Sequence, residues 1–233
     1  MVRSSLAAIG VYMKTTLFVP TLNEIEGMRV VMPRVKKEWV DEILVLDGGS
    51  TDGTVEYARA TGCRVVMQKS KGITRAYQEG LAAAQGDVII AFSPDGNSVP
   101  EKIPEVVQKM KEGYDMIVTS RYLPGAKSED DDPVTAFGNW MFTKGINILF
   151  GAHYTDALVM FRAFKKNIVS ASAIDAPRAG FEVLLAIRCA KQKLKVLEIP
   201  GDEPKRIGGA RKMNPILNGL DIIRLMMYER FTG

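Results

Sequence analysis

Val88–Pro100, VIIAFSPDGNSVP, decides the fold. Its first five residues, Val88–Phe92, are an unbroken apolar run of strand length, the pattern of a strand buried on both faces of a parallel sheet. Glu101–Lys111 follows, with Ile103, Val106, Val107 and Met110 at i, i+3, i+4 and i+7, one apolar helical face. Between strand and helix stand Ser93, Asp95 and Asn97, three oxygen-bearing side chains at alternate positions. Alternate residues of an extended chain share a face, so the three oxygens converge on one hard cation at the strand's end. A plain strand-to-helix turn uses the same Pro-Asp-Gly vocabulary, so the surroundings decide between the two.

The same unit recurs on either side. Thr15–Val19 is a strand leading into PTLNE (Pro20–Glu24) and a helix over Glu26–Val35. Ile43–Asp47 is a strand leading into GGSTDGT (Gly48–Thr54), where Ser50, Thr51 or Asp52 can cap a helix over Thr54–Thr61. Arg64–Met67 is a third strand. Gly72 opens a helix within Lys71–Gly86 whose Ala76, Gly80, Ala83 and Ala84 suit close packing on a sheet, and Met116–Ser120 is a further strand. Strands alternating with helices through short connections predict an α/β fold with a mainly parallel, Rossmann-like sheet flanked by helices. Ligands of such sheets bind outside the carboxyl ends of the strands. PTLNE, DGGSTDGT, SPDGN and SRY (Ser120–Tyr122) all fall there.

The second half reads differently. Leu123–Gly138 is a Gly/Pro/acidic loop, with Glu129–Asp132 as a solvated run. Helices are expected over Asn139–Phe150 and Phe181–Lys191, strands over Val159–Phe164 and Lys195–Ile199, a basic loop over Arg206–Lys212 and a terminal helix over Pro215–Phe231. This divides the chain into an extension over 1–13, one domain over 14–212 with two halves meeting at 120/121, and an amphipathic helix over 213–233.

Composition narrows the class. The chain has 233 residues, 46% hydrophobic and 25% charged, an ordinary globular make-up that needs no disulfide staples. Cys63 and Cys189 are far apart, show no metal-ligand spacing, and read as buried thiols of a reducing compartment. The net charge of +4 suits a polyanionic ligand or an acidic membrane surface. No interleaved basic and aromatic pattern argues for nucleic acid. No apolar run approaches a membrane span, and Arg3 with Leu6–Val11 imitates a signal peptide only in part, so a cytoplasmic location is expected. His153, the sole histidine, follows a helix end and receives no role.

The ordered set PTLNE, VLDGGSTDGT, KGITRAYQEG, SPDGNSVP, SRYLPG, GNWMFTKGINILFG, TDALVMFRAF, GFEVLLAIRCAKQ and RIGGARKMNP resembles family 2 glycosyltransferases of the GT-A fold, and within them the dolichyl-phosphate and polyprenyl-phosphate sugar transferases. The resemblance runs from about Thr16 to Tyr228. It implies a nucleoside diphosphate sugar donor (GDP-mannose or a UDP-hexose) bound by the half over 14–120. Pro20, Thr21, Asn23 and Glu24 would line the nucleoside pocket, with Asp47 at the base and Ser50 nearby. Gly72 would let the backbone approach the nucleotide, with Lys71 facing it and Ser93 beside it. Asp95 would bind Mg²⁺ or Mn²⁺, with Asn97 as a further oxygen ligand. In the acceptor half, Arg121, Asn139, Thr143, Arg206 and Lys212 would hold a lipid phosphate. Asp156 would be the catalytic carboxylate, orienting the acceptor or taking its proton, with Glu182 as second candidate.

Two departures stand out. Ser93 replaces the first carboxylate of the family's DxD, and Gly48 the second aspartate of its DDGS. They motivate one alternative, a non-catalytic sugar-nucleotide binding subunit. A soluble or cell-wall saccharide acceptor is another. A nucleotidyltransferase lacks support, because no Gly-rich basic loop follows the first strand. The terminal helix has two readings, peripheral docking on the cytoplasmic face of a membrane, or packing on the core or in a homodimer.

Overall fold

The structure, a computed structural model, describes residues 13–169, 180–208 and 215–232. Seven strands form one sheet: β1 (Thr15–Thr21), β2 (Glu42–Asp47), β3 (Arg64–Met67), β4 (Val88–Ala91), β5 (Met116–Ser120), β6 (Arg162–Lys165) and β7 (Val196–Pro200), in the order β3-β2-β1-β4-β6-β5-β7. β6 runs antiparallel to β4 and β5; every other pair is parallel. The helices are α1 (Ile25–Val31), α2 (Thr54–Ala60), α3 (Ile73–Ala83), α4 (Ile103–Lys111), α5 (Pro133–Phe150), α6 (Phe181–Lys191) and α7 (Pro215–Thr232). The mainly parallel sheet flanked by helices is the architecture the sequence predicts.

Strand alternation sorts the core into two layers. Phe18, Leu44, Leu46, Ile89 and Ala91 pack with α3, α6 and α7 on one side. Leu17, Val19, Val45, Ile90 and Phe92 pack with α1 and α4 on the other. Burial on both faces is why β1, β2 and β4 read as unbroken apolar runs. Gly80 lies flat against Phe18: a Cβ there would stand 2.2 Å from the ring, so this helix–strand approach requires glycine. Cys189 is buried, which pushes its thiol up to about 12, whereas Cys63 is only half-buried, contrary to expectation.

Three boundaries depart from the sequence reading by three residues or more. α5 begins at Pro133, six residues before the expected start, because Asp132 accepts from the backbone N–H of Val134 (2.9 Å) and Thr135 (3.0 Å) and Pro133 supplies the first helical φ. α1 stops at Val31 and tightens into a 3₁₀ turn over Met32–Arg34, where Pro33 has no N–H to donate. β6 begins at Arg162 rather than Val159, since Asp156 gathers the N–H groups of Leu158 (3.3 Å) and Val159 (3.1 Å) into a turn. Arg162 is itself fully buried and donates to the carbonyls of Ala157, Val159 and Glu182.

Candidate active site

The polar clusters meet at the carboxyl ends of β1, β2, β4 and β5. On the β1–β2 side they are knitted by short hydrogen bonds. The β1/β2 register places Thr21 beside Asp47. The Asp47 carboxylate is fully buried: Oδ1 accepts from the N–H of Gly49 (2.9 Å) and Ser50 (2.7 Å), Oδ2 from the hydroxyls of Thr21 (2.9 Å) and Ser50 (2.5 Å). Asp47 therefore shapes the turn from within and does not present a free carboxylate to a nucleobase. Asn23, at φ +53°, ties the facing loop to the same turn: its Oδ1 accepts from Thr51 N–H (2.8 Å) and its own N–H donates to Ser50 Oγ (2.8 Å). The N–H of Glu24 donates to Thr54 (3.0 Å) and that of Ile25 to Asp52 (3.0 Å). Burial pushes the Asp52 carboxyl up, but hydrogen bonds from Thr54 and Ile25 outweigh it and hold the group below the usual carboxylate range. Pro20, one residue before the end of β1, lies opposite Leu46. Lys71 and Gly72 (φ +104°) lie exposed before α3, where Gln68 Nε2 donates to the Gly72 carbonyl (2.8 Å).

At the end of β4, Ser93 is half-buried and Asp95 is 3% exposed. Asp95 Oδ1 accepts from Asn97 N–H (3.1 Å), and Oδ2 lies 2.5 Å from Arg206 Nη2. Arg206 Nη1 is 3.7 Å from Glu24 Oε1. The sequence places Arg206 with the acceptor phosphate; the structure places it on Asp95. Lys212, its expected companion, lies outside the described residues, as do residues 1–12 of the extension expected over 1–13.

The β5 side is built from charge. Arg121 is buried; its Nε and Nη2 donate to Asp156 (2.6 and 2.9 Å), its Nη1 to Glu203 (3.1 and 3.2 Å), and Nη1 lies 3.7 Å from Asp131. Burial alone would lower the Arg121 pKa; the hydrogen bond and charge of Asp156 more than reverse it. Asp156 is fully buried, and it also accepts from the backbone N–H groups of Arg121, Leu158 and Val159. With both oxygens engaged in this way, Asp156 holds Arg121 in place. Arg121 in turn has most of its donors engaged before any phosphate arrives. Glu203 is pushed up by burial, which the opposing pull of Arg121 does not cancel. Asn139 Nδ2 donates to the Tyr122 hydroxyl (2.8 Å), which donates to Asp131; Thr143 Oγ1 accepts from Ala157 N–H (3.2 Å). Arg121 and Asn139 thus join one network with Asp156 through Tyr122 and Asp131, Thr143 bonds the backbone beside Asp156, and Arg206 sits with Asp95.

Asp131 and Glu203 were missed by sequence reasoning. The acidic run Glu129–Asp132 is only partly a solvated loop: Glu129 and Asp132 are exposed, but Asp130 accepts from Arg206 N–H (3.3 Å), the Asp131 carboxylate is buried beside Arg121, and Asp132 caps α5. The Asp132-Pro133 pair was a local signal for the cap alone. Glu182, the second carboxylate candidate, accepts from the buried Tyr77 hydroxyl (2.6 Å).

A divalent cation fits this site as a shared ligand. Among the described residues, no group of three His, Cys, Asp or Glu could hold a metal alone. Asp95 with Ser93 and Asn97 offers one carboxylate and neutral side chains, the set a magnesium-type ion accepts when substrate phosphates complete the shell. Asn97 spends its amide Nδ2 on the Pro204 carbonyl (2.8 Å), which leaves its oxygen as the candidate ligand atom.

Comparison with known proteins places the family and the fold. A dolichol-phosphate mannosyltransferase of Pyrococcus furiosus is 29% identical over 240 residues, covering 93% of this chain and 65% of the relative. An undecaprenyl-phosphate mannosyltransferase of Micrococcus luteus is 26% identical, covering 95% of this chain and 97% of the relative. Glucosyl-3-phosphoglycerate synthase of Mycobacterium tuberculosis, solved with Mn²⁺, uridine diphosphate and phosphoglyceric acid, superposes with a TM-score of 0.74 at 20% identity, over 95% of this chain and 80% of that one, and so shares the GT-A fold. Residues 16–172 match the family described as glycosyl transferase family 2, and the chain belongs to that family of glycosyltransferases.

Proposed function

We propose that this glycosyltransferase moves a sugar, with inversion, from a nucleoside diphosphate sugar to a polyprenyl or dolichyl phosphate. The observation that carries the lipid acceptor is the apolar face beside the acceptor network. On α5, Phe137 (61% exposed), Trp140 (57%) and Met141 flank the buried Asn139, and α7 packs alongside with Ile216 (75%), Leu217, Leu220 and Ile223 turned outward. Exposed apolar side chains of this kind on two packed helices suit contact with lipid in the manner of an interfacial helix pair. No described helix is long and apolar enough to cross a membrane. The relatives named for dolichol and undecaprenyl phosphate support the same acceptor.

The residues divide the work. Asp95 would hold Mg²⁺ or Mn²⁺, with Asn97 and Ser93 at hand, and the cation would neutralise charge on the departing diphosphate. The Asp47 turn and the Asn23–Ser50 bonds fix the donor loops, and Lys71 and Gly72 border them. The acceptor phosphate attacks the anomeric carbon in line with the leaving nucleotide. A phosphate is already largely ionised near neutral pH, so no strong base is needed, in keeping with an Asp156 that positions Arg121. Arg206 would supply positive charge to the acceptor phosphate, Arg121, shared among Asp131, Asp156 and Glu203, orders that side of the cleft, and Lys212 would add a second cation.

A second reading, a soluble phosphorylated acceptor, is favoured by the structural relative that holds phosphoglyceric acid. The deciding assay offers labelled GDP-mannose or UDP-glucose with Mn²⁺ to the full chain, with undecaprenyl phosphate in liposomes or phosphoglyceric acid in solution. Label extracted into lipid, with flotation of the chain on acidic liposomes abolished by Phe137→Ser with Trp140→Ser, is the expected result. Label only on phosphoglyceric acid selects the second reading. Nucleotide binding with no transfer to any acceptor leaves a sugar-nucleotide binding subunit.

A further inference from the structure

Asp95 is the one carboxylate of its segment, and its Oδ2 is already engaged by a cation. Arg206 reaches it at 2.5 Å while its other guanidinium nitrogen stays 3.7 Å from Glu24. This contact is built from both flanks. Ile207 N–H donates to the Asp95 carbonyl (2.6 Å), and the Pro204 carbonyl accepts from Asn97 (2.8 Å), so the chain crosses Asp95 on either side of Arg206. Gly96, at φ +96°, lets the crossing close: a Cβ there would stand 2.8 Å from Ile207. Glu203, in the same strip, is anchored on Arg121 and Ser128. The backbone is therefore fixed while the long Arg206 side chain can still turn about its own torsions.

We infer, on the reading of Asp95 as the metal carboxylate given above, that Arg206 is the resident counter-cation of Asp95 and exchanges with the divalent ion. A hard cation needs a carboxylate oxygen at about 2.0–2.6 Å. A guanidinium nitrogen on the same oxygen would then stand in direct contact with the ion, and two positive charges at that range repel strongly in a poorly solvated site. A site with two carboxylates could keep both cations. With Ser93 at the other position, Asp95 holds one at a time. Metal arriving with the donor diphosphate displaces the guanidinium, and the released Arg206, still tethered by Ile207 and Pro204, becomes available for the acceptor phosphate. Donor therefore binds before acceptor.

Titration of the full chain with Mn²⁺, following the electron paramagnetic resonance signal of the free ion, tests this without any sugar. Arg206→Met keeps the side-chain stem and removes the charge. It should bind Mn²⁺ about five- to tenfold more tightly than the wild type. Arg206→Lys should stay near the wild-type value, Ser93→Asp should tighten binding with Arg206 in place, and Asp95→Asn should bind no Mn²⁺ in either background. Mn²⁺ affinity unchanged or weaker in Arg206→Met overturns the exchange, as does a lack of binding in all forms. Ser93→Asp reports independently should Arg206→Met fail to fold, and no tightening there also overturns it. A tightened Arg206→Met protein that transfers no sugar keeps the exchange and removes the proposed function; sugar transfer with unmoved Mn²⁺ affinity does the reverse.

Discussion

The two ends of the cleft are held by different physics. At β1 and β2, short polar side chains close on backbone N–H groups and hydroxyls around one buried carboxylate, Asp47. At β5, one buried arginine is shared by Asp156, Glu203 and Asp131. The first arrangement counts hydrogen bonds; the second counts charges, and three negative groups surround one positive. Asp131 Oδ1 is buried with no hydrogen-bond partner, which is what a cluster short of donors looks like. A hydrogen-bonded turn tolerates loss of charge if its donors and acceptors are still matched. A buried ion cluster does not, because removing one partner strands the others.

Arg121→Met should be the costliest single change. It removes the guanidinium that the three carboxylates share and leaves them buried. Breaking a buried pair in this way costs about 3–5 kcal/mol, so the expected readout is a large fall in the urea midpoint at neutral pH. The loss should shrink as the pH is lowered, since protonated carboxyl groups no longer need the partner. A midpoint within error of the wild type would mean that the cluster is solvated and the contrast with the donor side is wrong.

Asp47 sharpens the same contrast from the other side. In Asp47→Asn, Oδ1 can keep accepting from Gly49 and Ser50, and the new Nδ2 can donate to the Thr21 and Ser50 hydroxyls once they rotate. The expected cost is below about 1 kcal/mol. Asp47→Ala leaves those donors unpaired in a buried turn and should cost about 2–3 kcal/mol. Thermal unfolding of the pair measures the difference. Equal losses would show that the charge of Asp47, and not its acceptor geometry, holds the loops.

How far each side was legible follows from how it is built. The donor loops were readable because their partners are close in sequence, such as Asp47 with Ser50 and Asp52 with Thr54, or are made neighbours by adjacent parallel strands, as Thr21 and Asp47 are. Strand and helix periodicity gave β3, β5 and α6 to the residue. The acceptor cluster draws on positions 121, 131, 156 and 203, which only the completed sheet brings together. A run such as Glu129–Asp132 carries no local mark distinguishing a solvated acid from one that will meet an arginine. Arg206 illustrates the same limit: its loop could be read as basic, but not that it would fold back onto Asp95. The early start of α5 is legible in Asp132-Pro133, an N-cap followed by a helix-opening proline.

The finest separation of the two sides is by pH, because Asp52 and Glu203 are displaced in opposite directions. Asp52 is held below the usual range once the hydrogen bonds from Thr54 and Ile25 overcome burial. Its folded form releases its proton more readily than the unfolded form. Its stabilisation is thus fully present above the ordinary aspartate range and is lost as pH falls through the lowered folded value. Glu203 is raised, chiefly by burial. Between the ordinary glutamate value and its raised folded value, the folded state holds more proton than the unfolded one, so its contribution declines as pH rises through that window. Melting temperatures from about pH 3 to about pH 8 should therefore show Asp52→Asn flattening the acid side of the profile and Glu203→Gln removing a decline on the neutral side. Both effects should be smaller than those of Arg121 or Asp47, since neither change strands a buried partner. The amide oxygen introduced by Glu203→Gln can still accept from Arg121, and the one introduced by Asp52→Asn can still accept from Thr54. A Glu203→Gln profile parallel to the wild type would place Glu203 among solvated carboxylates and reduce the shared-arginine cluster to the Arg121–Asp156 pair.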